Sequence, residues 1–365
     1  MNNRKNQITS KQLMSFVIAT QLGTGMLWYP NSLAMKVGHD GWISVIIFGS
    51  IITFFIVFMI LLLKRYENQN IFSINKNIYG KVIGFFINNG IIVYLFILTC
   101  ISLRIFINIV KLIALPLTPG IIVTIFTFLP SLYLVSYGLK FIARDTIFAY
   151  YAILFCLIIF FLESKDFHFT FLQPIGKCGV NKIISTTPES LHAFLGYELI
   201  AIIYPEITNK NKVMIYSICA NFVTTIMYII ITIVSTIVLG ENFLKSTLYP
   251  IINLSRYYEA PIFQRIDLFF LATWFFIMAM DSRAYFFAAY YSIIKVYDLK
   301  VSKIFLFCFW AFVIAATRFP NSDFKMHYCE SIMEVLGAIV TINMLLCYIL
   351  SFIRKKGIRT NDKVF

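Results

Sequence analysis

Charged residues are scarce in this chain of 365 residues, where Asp, Glu, Lys and Arg together make up 13%. Soluble globular proteins carry about 25% charged residues. Hydrophobic residues make up 59%, so little polar sequence is left to cover a water-exposed surface or to carry a basic patch. This composition excludes a soluble domain, a disordered chain, a fibrous protein and a nucleic-acid-binding protein. It indicates a polytopic membrane protein whose net charge of +14 lies in short loops between apolar segments.

Motifs of cysteine and histidine are also missing. The chain has seven cysteines and four histidines, but no CxxC and no spacing typical of zinc ligands. Five of the cysteines lie in apolar runs, where a thiol behaves as a small hydrophobe. Cys178 and Cys329 lie in polar stretches and are the one pair that could meet. We therefore expect no disulfide framework, no metal site and no cofactor, and no catalytic constellation is evident.

Ten apolar segments are long enough to cross a bilayer, which takes about 20 residues of helix. Their hydrophobicity is continuous rather than alternating, so the predicted class is an all-α integral membrane protein. The segments cover residues 12–35, 42–63, 83–112, 120–138, 145–162, 189–205, 213–239, 261–294, 302–317 and 331–353. The first follows three basic residues, as a signal peptide does, but no cleavage site of small residues follows it. We expect it to be a retained span.

Lysine and arginine are distributed unevenly between the loops. If the first span begins inside, the termini and loops on that side hold 19 of them and the opposite side holds 10. Because cytoplasmic loops carry the excess of basic residues, both termini are predicted to be cytoplasmic. The ten transmembrane helices then form two five-helix halves of opposite topology, an inverted repeat. The single transmembrane domain, 1–365, divides into a first repeat at 11–162, an extracytoplasmic linker at 163–188, a second repeat at 189–353 and a cytoplasmic tail at 354–365.

Glycine interrupts the first span of each half. The two motifs are Gly23-Thr24-Gly25 and Gly196-Tyr197-Glu198, and each span then closes on a Tyr-Pro pair. Freed backbone groups at membrane depth must face protein or a water-filled cavity. Their carbonyls can face a cation, and the N–H groups of the next half-helix can face an anion, so a zwitterion such as an amino acid fits. The alternative is close helix packing through small residues. The matching glycine in the second half favours broken helices 1 and 6.

Ionisable residues inside the spans need partners, because an isolated charge in hydrocarbon is costly. Glu198 could receive a ligand ammonium or bond to a neighbouring helix. Asp281 and Arg283 flank Ser282 in span 8 and point to different faces, so either pairs with another helix, or Arg283 reaches inward toward the membrane interface. Ser282 itself is a candidate ligand contact.

A second group of polar residues lies toward the outer side. It comprises Arg104, His192, Glu330 and Glu334. His192 reads as an interfacial residue rather than a proton relay. The other three could line an outward vestibule or form a solvated rim with no role.

Several motifs together resemble one family. They are Gln21-Leu22-Gly23-Thr24-Gly25, Gly38-His39-Asp40-Gly41-Trp42, Phe194-Leu195-Gly196-Tyr197-Glu198 and Gln264-Arg265-Ile266-Asp267. They resemble the spore germination permeases, the B subunits of germinant receptors, over residues 8–355. The resemblance implies membership of the amino acid/polyamine/organocation superfamily and a LeuT-like inverted repeat. It also implies a place in the spore inner membrane, beside a membrane-embedded A subunit and a C-subunit lipoprotein.

The predicted function is that of a receptor subunit rather than an enzyme. A small germinant, most simply an amino acid, binds between spans 1, 3, 6 and 8, and binding signals to the partner subunits to start germination. The candidate ligand contacts are Gly23, Thr24, Gly25, Gly196, Tyr197, Glu198 and Ser282. The rival hypothesis is a secondary active amino acid transporter. A coupling ion often needs a lysine or a hydroxyl pair on spans 5 and 8, and span 5 has no basic residue between Arg144 and Lys165.

Overall fold

The computed structural model describes residues 6–67, 69–162, 167–257, 266–319 and 323–354. Within these ranges the regular structure is helical, apart from one isolated bridge between Ile8 and Ile207. The all-α class predicted from continuous apolar runs is therefore confirmed. Residues 261–265 of span 8, 163–166 of the linker and 355–365 of the tail lie outside the described residues, and so do Gln264 and Arg265.

Sixteen α-helices are found in the described part of the chain. In order they are α1 (Ser10–Gln21), α2 (Gly25–Val37), α3 (Gly41–Arg65), α4 (Ile71–Tyr79), α5 (Lys81–Ile113), α6 (Gly120–Tyr137), α7 (Leu139–Asp145), α8 (Phe148–Leu162), α9 (Val180–Ser185), α10 (Thr187–Ala193), α11 (Leu199–Ile203), α12 (Val213–Ser246), α13 (Pro250–Tyr257), α14 (Ile266–Tyr297), α15 (Lys303–Ala316) and α16 (Asp323–Ile353). The long helices coincide with predicted spans. The short helices α4, α7, α9 and α13 connect them.

Six helical stretches among the described residues are long and apolar enough to cross a membrane, by length and composition. The helix Lys303–Ala316 is a shorter apolar one. Large apolar side chains such as Phe126, Phe276 and Ile304 are exposed on helix surfaces, where a bilayer would cover them. These features describe a multi-pass membrane protein.

The first interruption divides predicted span 1 into α1 and α2. Helix α1 ends at Gln21, and the chain is not helical again until Gly25 begins α2. The carbonyl of Gly23, which the break removes from helical bonding, accepts a hydrogen bond from Trp274 Nε1 at 3.4 Å. The break therefore faces protein, as backbone at membrane depth must.

The second interruption divides predicted span 6 into α10 and α11. Helix α10 ends at Ala193 and α11 begins at Leu199. Between them Gly196 has φ +120°, a conformation that side-chain-bearing residues rarely adopt. A Cβ atom there would lie 2.5 Å from Thr20 Oγ1 on α1. Glycine is thus required by the backbone and by the contact between the two interrupted helices.

Only one of these two spans ends at its Tyr-Pro pair. Tyr204 and Pro205 lie in a 3₁₀ turn directly after α11. The expectation that Tyr29 and Pro30 close span 1 is wrong, because α2 continues past them to Val37. Pro30 lies inside α2, in its second turn, where it cannot donate a backbone hydrogen bond to the Met26 carbonyl.

Candidate binding site between two interrupted helices

A small cavity of about 20 Å³ lies where the two interruptions meet. Its lining includes Thr20, Gln21, Thr24 and Gly25 from the first interrupted helix, with Ser102 from α5 and Asp281 from α14. A water molecule needs roughly 10–15 Å³ by this measure, so the cavity has room for about one water-sized group.

Asp281 contributes an unsatisfied acceptor to this cavity. Its side chain is buried, and Oδ2 accepts a hydrogen bond from the Ser102 hydroxyl. Oδ1 is buried and has no hydrogen-bond partner among the described residues. A Cβ atom on Gly23 would lie 2.6 Å from the Asp281 carboxylate, so glycine at this position leaves space for the acid. A buried acceptor without a donor is costly, and it favours a ligand that donates hydrogen bonds.

Gln21 supplies a second free acceptor. Its Nε2 donates to the Phe194 carbonyl and to Asn221 Oδ1, each at 3.1 Å. Its Oε1 is buried and has no partner within the described ranges. Gln21 and Asp281 both line the cavity, and each has one buried oxygen without a hydrogen-bond partner among the described residues. Two free acceptors match a cationic group, above all a primary ammonium with three N–H bonds.

Helix α12 holds the two interruptions together. The Tyr228 hydroxyl lies 2.5 Å from the Gln21 carbonyl and 2.9 Å from the Ala193 carbonyl. A Cβ atom on Gly25 would overlap this hydroxyl and lie 3.2 Å from the Ala193 backbone. Gly25 thus permits the close approach of α2 to α10 and α12.

The predicted residues of the second interruption face other helices. Glu198 is 2% exposed. Its Oε2 accepts from the Gly196 N–H at 2.7 Å, and its Oε1 accepts from the Tyr94 hydroxyl at 2.8 Å. The Tyr197 hydroxyl lies 2.6 Å from Thr341 Oγ1 on α16. In this conformation Glu198 fastens the broken segment to α5, one of the two roles expected for it.

Ser282 and Arg283 continue from Asp281 along α14. Ser282 Oγ lies 3.2 Å from the Oγ of Ser102, which lines the cavity. Ser282 itself is not among the described lining residues. Arg283 is buried and forms an ion pair with Asp145 at the end of α7. Asp281 and Arg283 therefore pair with different helices, as their spacing predicts.

A larger cavity of about 280 Å³ lies next to the central one. Its lining includes Trp28, Glu189, Glu330 and Glu334, and His192 lines both cavities. His192 Nδ1 lies 3.6 Å from Glu334 Oε1. Glu330 and Glu334 thus line one cavity, which we call the vestibule, and His192 forms its boundary with the central cavity. That the vestibule opens outward stays a prediction.

Arg104 does not belong to the described lining of the vestibule, and its Nε is buried without a hydrogen-bond partner in the described part of the chain. No group of three or more His, Cys, Asp or Glu residues that could hold a metal ion occurs in that part either.

Sequence reasoning did not assign Asp281 and Gln21 to the site. Asp281 was recognised as an ionisable residue of span 8, but its orientation toward span 1 depends on how α14 packs. Gln21 was part of the family motif, directly before the interruption, and that position was the available signal.

Comparison with known proteins identifies the relatives of this chain. A family model described as spore germination protein matches residues 7–325. Spore germination protein B2 of Bacillus subtilis (strain 168) is 25% identical over 98% of this chain and 98% of its own length. Spore germination protein GerQB of Bacillus cereus is 26% identical, covering 74% of this chain and 76% of GerQB. Spore germination protein A2 of Bacillus subtilis (strain 168) is 29% identical, covering 73% and 74%.

Proposed function

The chain belongs to the spore germination protein family, and from this premise we propose that it is the ligand-binding B subunit of a germinant receptor. Its ligand is a small nutrient carrying a primary ammonium, most simply an amino acid. The observation that carries this proposal is the buried Oδ1 of Asp281, a residue that lines the central cavity, because this oxygen lacks a hydrogen-bond donor among the described residues.

The ammonium group binds between Asp281 Oδ1 and Gln21 Oε1. The backbone around Thr24 and Gly25 then lies on the ligand's other side, where the first N–H groups of α2 are available to a carboxylate. The free acceptors at the bottom of the cavity select for the cationic end of the ligand. Ser282 acts indirectly, through its contact with Ser102.

The size of the cavity links binding to a change of conformation. About 20 Å³ accommodates an ammonium group but not a whole amino acid. The two interrupted helices must therefore separate for the ligand to enter, so the ligand has a higher affinity for a more open conformation. A ligand shifts an equilibrium only through such differential affinity. The shift is the signal that we propose reaches the partner A subunit and the C-subunit lipoprotein.

The remaining features of the proposal concern the whole chain. We propose ten transmembrane helices in a LeuT-like inverted repeat, with both termini cytoplasmic, in the spore inner membrane. The matched interruptions of the first and sixth spans and the uneven distribution of Lys and Arg support this arrangement. The rival function, secondary active transport, predicts uptake of radiolabelled ligand into reconstituted vesicles.

Thermal stabilisation of the purified protein tests the binding site. Each amino acid in a panel is paired with the α-hydroxy acid of the same side chain, and sugars and nucleosides are included. We expect an amino acid to raise the melting temperature and its hydroxy acid to have no effect. Asp281→Asn should weaken binding about 10- to 150-fold, the range for a hydrogen bond to a charged group. Asp267→Asn, the same substitution on the same helix but beside Arg256, is the control. Equal stabilisation by both acids, or unchanged affinity in Asp281→Asn, would contradict the proposal.

A further inference from the structure

Arg283 is a charged residue in the interior of a membrane helix with no part in the site described so far. Its side chain is 5% exposed and pairs with Asp145. Among the described residues neither its Nε nor its Nη1 makes a hydrogen bond, so the compensation for burying the charge comes from ion-pair contact with the Asp145 carboxylate. A buried charge of this kind is retained at a cost and indicates a function.

The pair is joined to the binding cavity through α14. Asp281, Ser282 and Arg283 are consecutive, and successive residues of a helix point about 100° apart. Asp281 faces the cavity and Ser282 contacts α5, while Arg283 reaches the end of α7. A rotation or shift of α14 that moves Asp281 must therefore also strain or break the pair with Asp145.

The pair also lies beside the inner half of the first interrupted helix. Thr146, the residue after Asp145, has its hydroxyl 3.2 Å from Ser15 Oγ on α1. Close by, Ala19 of α1, Ala149 of α8 and Met280 of α14 pack together in one buried cluster. Helices α1, α8 and α14 thus meet next to the ion pair.

We propose that the Arg283–Asp145 pair is a lock. It holds α14 against the junction of α7 and α8, and so keeps α1 closed over the inner end of the central cavity. This inference rests on the proposed function for the meaning of the cavity, but the lock itself needs no ligand. Neutralising Asp145 leaves the buried Arg283 charge without its counterion, and neutralising Arg283 removes the cation that holds the partly exposed Asp145 carboxylate, so in either variant α1 and α14 separate more often.

Cysteine accessibility measures this opening directly. Ala19→Cys places a small, fully buried reporter in the interface that the lock holds closed. The full-length protein in lipid nanodiscs is treated with a membrane-impermeant maleimide. Labelling at residue 19 is quantified by peptide mass spectrometry, so the native cysteines are kept. We expect slow labelling with the pair intact and at least roughly tenfold faster labelling in Asp145→Asn or Arg283→Gln, a change equivalent to about 1.4 kcal/mol.

Two controls identify the cause of faster labelling. The exchanged pair, Arg283→Asp with Asp145→Arg, should restore slow labelling. Lys245→Gln, which removes the cation of the exposed pair with Glu241, should leave it unchanged. If the single neutral variants do not fold, the test rests on the exchanged pair alone. An exchanged pair that folds and is labelled slowly at residue 19 then supports the lock. Unchanged labelling in folded neutral variants would overturn the proposal, and so would an exchanged pair that labels fast or does not fold. Because the assay contains no amino acid, its result is independent of whether the proposed ligand binds.

Discussion

Replacement of Glu198 by glutamine separates a structural role of this carboxylate from ligand binding. Its two oxygens accept from the Gly196 N–H at 2.7 Å and from the Tyr94 hydroxyl at 2.8 Å. In Glu198→Gln the amide oxygen can still accept from Gly196 and the NH₂ group can donate to Tyr94, but the charge is lost. Hydrogen bonds to charged groups contribute about 1.5–3 kcal/mol and neutral ones about 0.5–1.5 kcal/mol, so two bonds together lose about 2–3 kcal/mol.

This loss should appear as lower stability and not as weaker binding. We expect the melting temperature of purified Glu198→Gln to fall, while the amino acid concentration that gives half-maximal stabilisation stays the same. Glu206→Gln is the matched control, because Glu206 also accepts from a tyrosine hydroxyl, Tyr291, at 2.8 Å but is only half-buried. Undiminished stability together with weaker binding would refute the reasoning and place the ligand ammonium at Glu198.

Four further substitutions test the site and the topology. Gly23→Ala should abolish amino acid binding in the thermal-shift assay, because its Cβ atom would overlap the carboxyl group that faces the cavity. Gly90→Ala, with nothing within 4 Å of its Cβ, should bind normally and gain about 0.5–1 kcal/mol of stability, and equal binding by both variants would contradict this explanation. Leu172→Cys should react with impermeant maleimide from outside intact cells and Lys210→Cys only from inside; the reverse pattern would invert the proposed topology.

The interruptions of spans 1 and 6 were predictable from the sequence. Two glycines around Thr24 and one at Gly196 weaken helical bonding in segments that are otherwise apolar. The helical class was also predictable, because it follows from continuous apolar runs of neighbouring residues. Such features depend on neighbouring residues, and a single sequence contains that information.

The composition of the central cavity was not predictable in the same way. The spacing of Asp281 and Arg283 indicated that they point to different faces. The partners Ser102 and Asp145 are far away in the chain, and only the packing of α5, α7 and α14 brings them near. For Glu198 the sequence predicted burial but not the partner. Its partner Tyr94 lies 104 residues earlier in the chain, on α5, and only the packing of the helices brings the two together.

The small central cavity and the proposed Arg283–Asp145 lock are both linked to one change of conformation on ligand binding. The closed form has space for an ammonium group but not for the rest of an amino acid. On the proposed function, entry of the ligand requires movement of the interrupted helices, and we propose that α14 carries this movement to Arg283 and its partner. Binding and opening are then two aspects of one equilibrium.

A structure determined with the most stabilising amino acid bound tests the central claim most directly. The account predicts that the amino nitrogen lies within hydrogen-bonding distance of Asp281 Oδ1, about 2.7–3.2 Å, between the two interrupted helices. Electron density for the ligand in the outer vestibule, or an amino nitrogen bonded to Glu198 with Asp281 still unpaired, would contradict it.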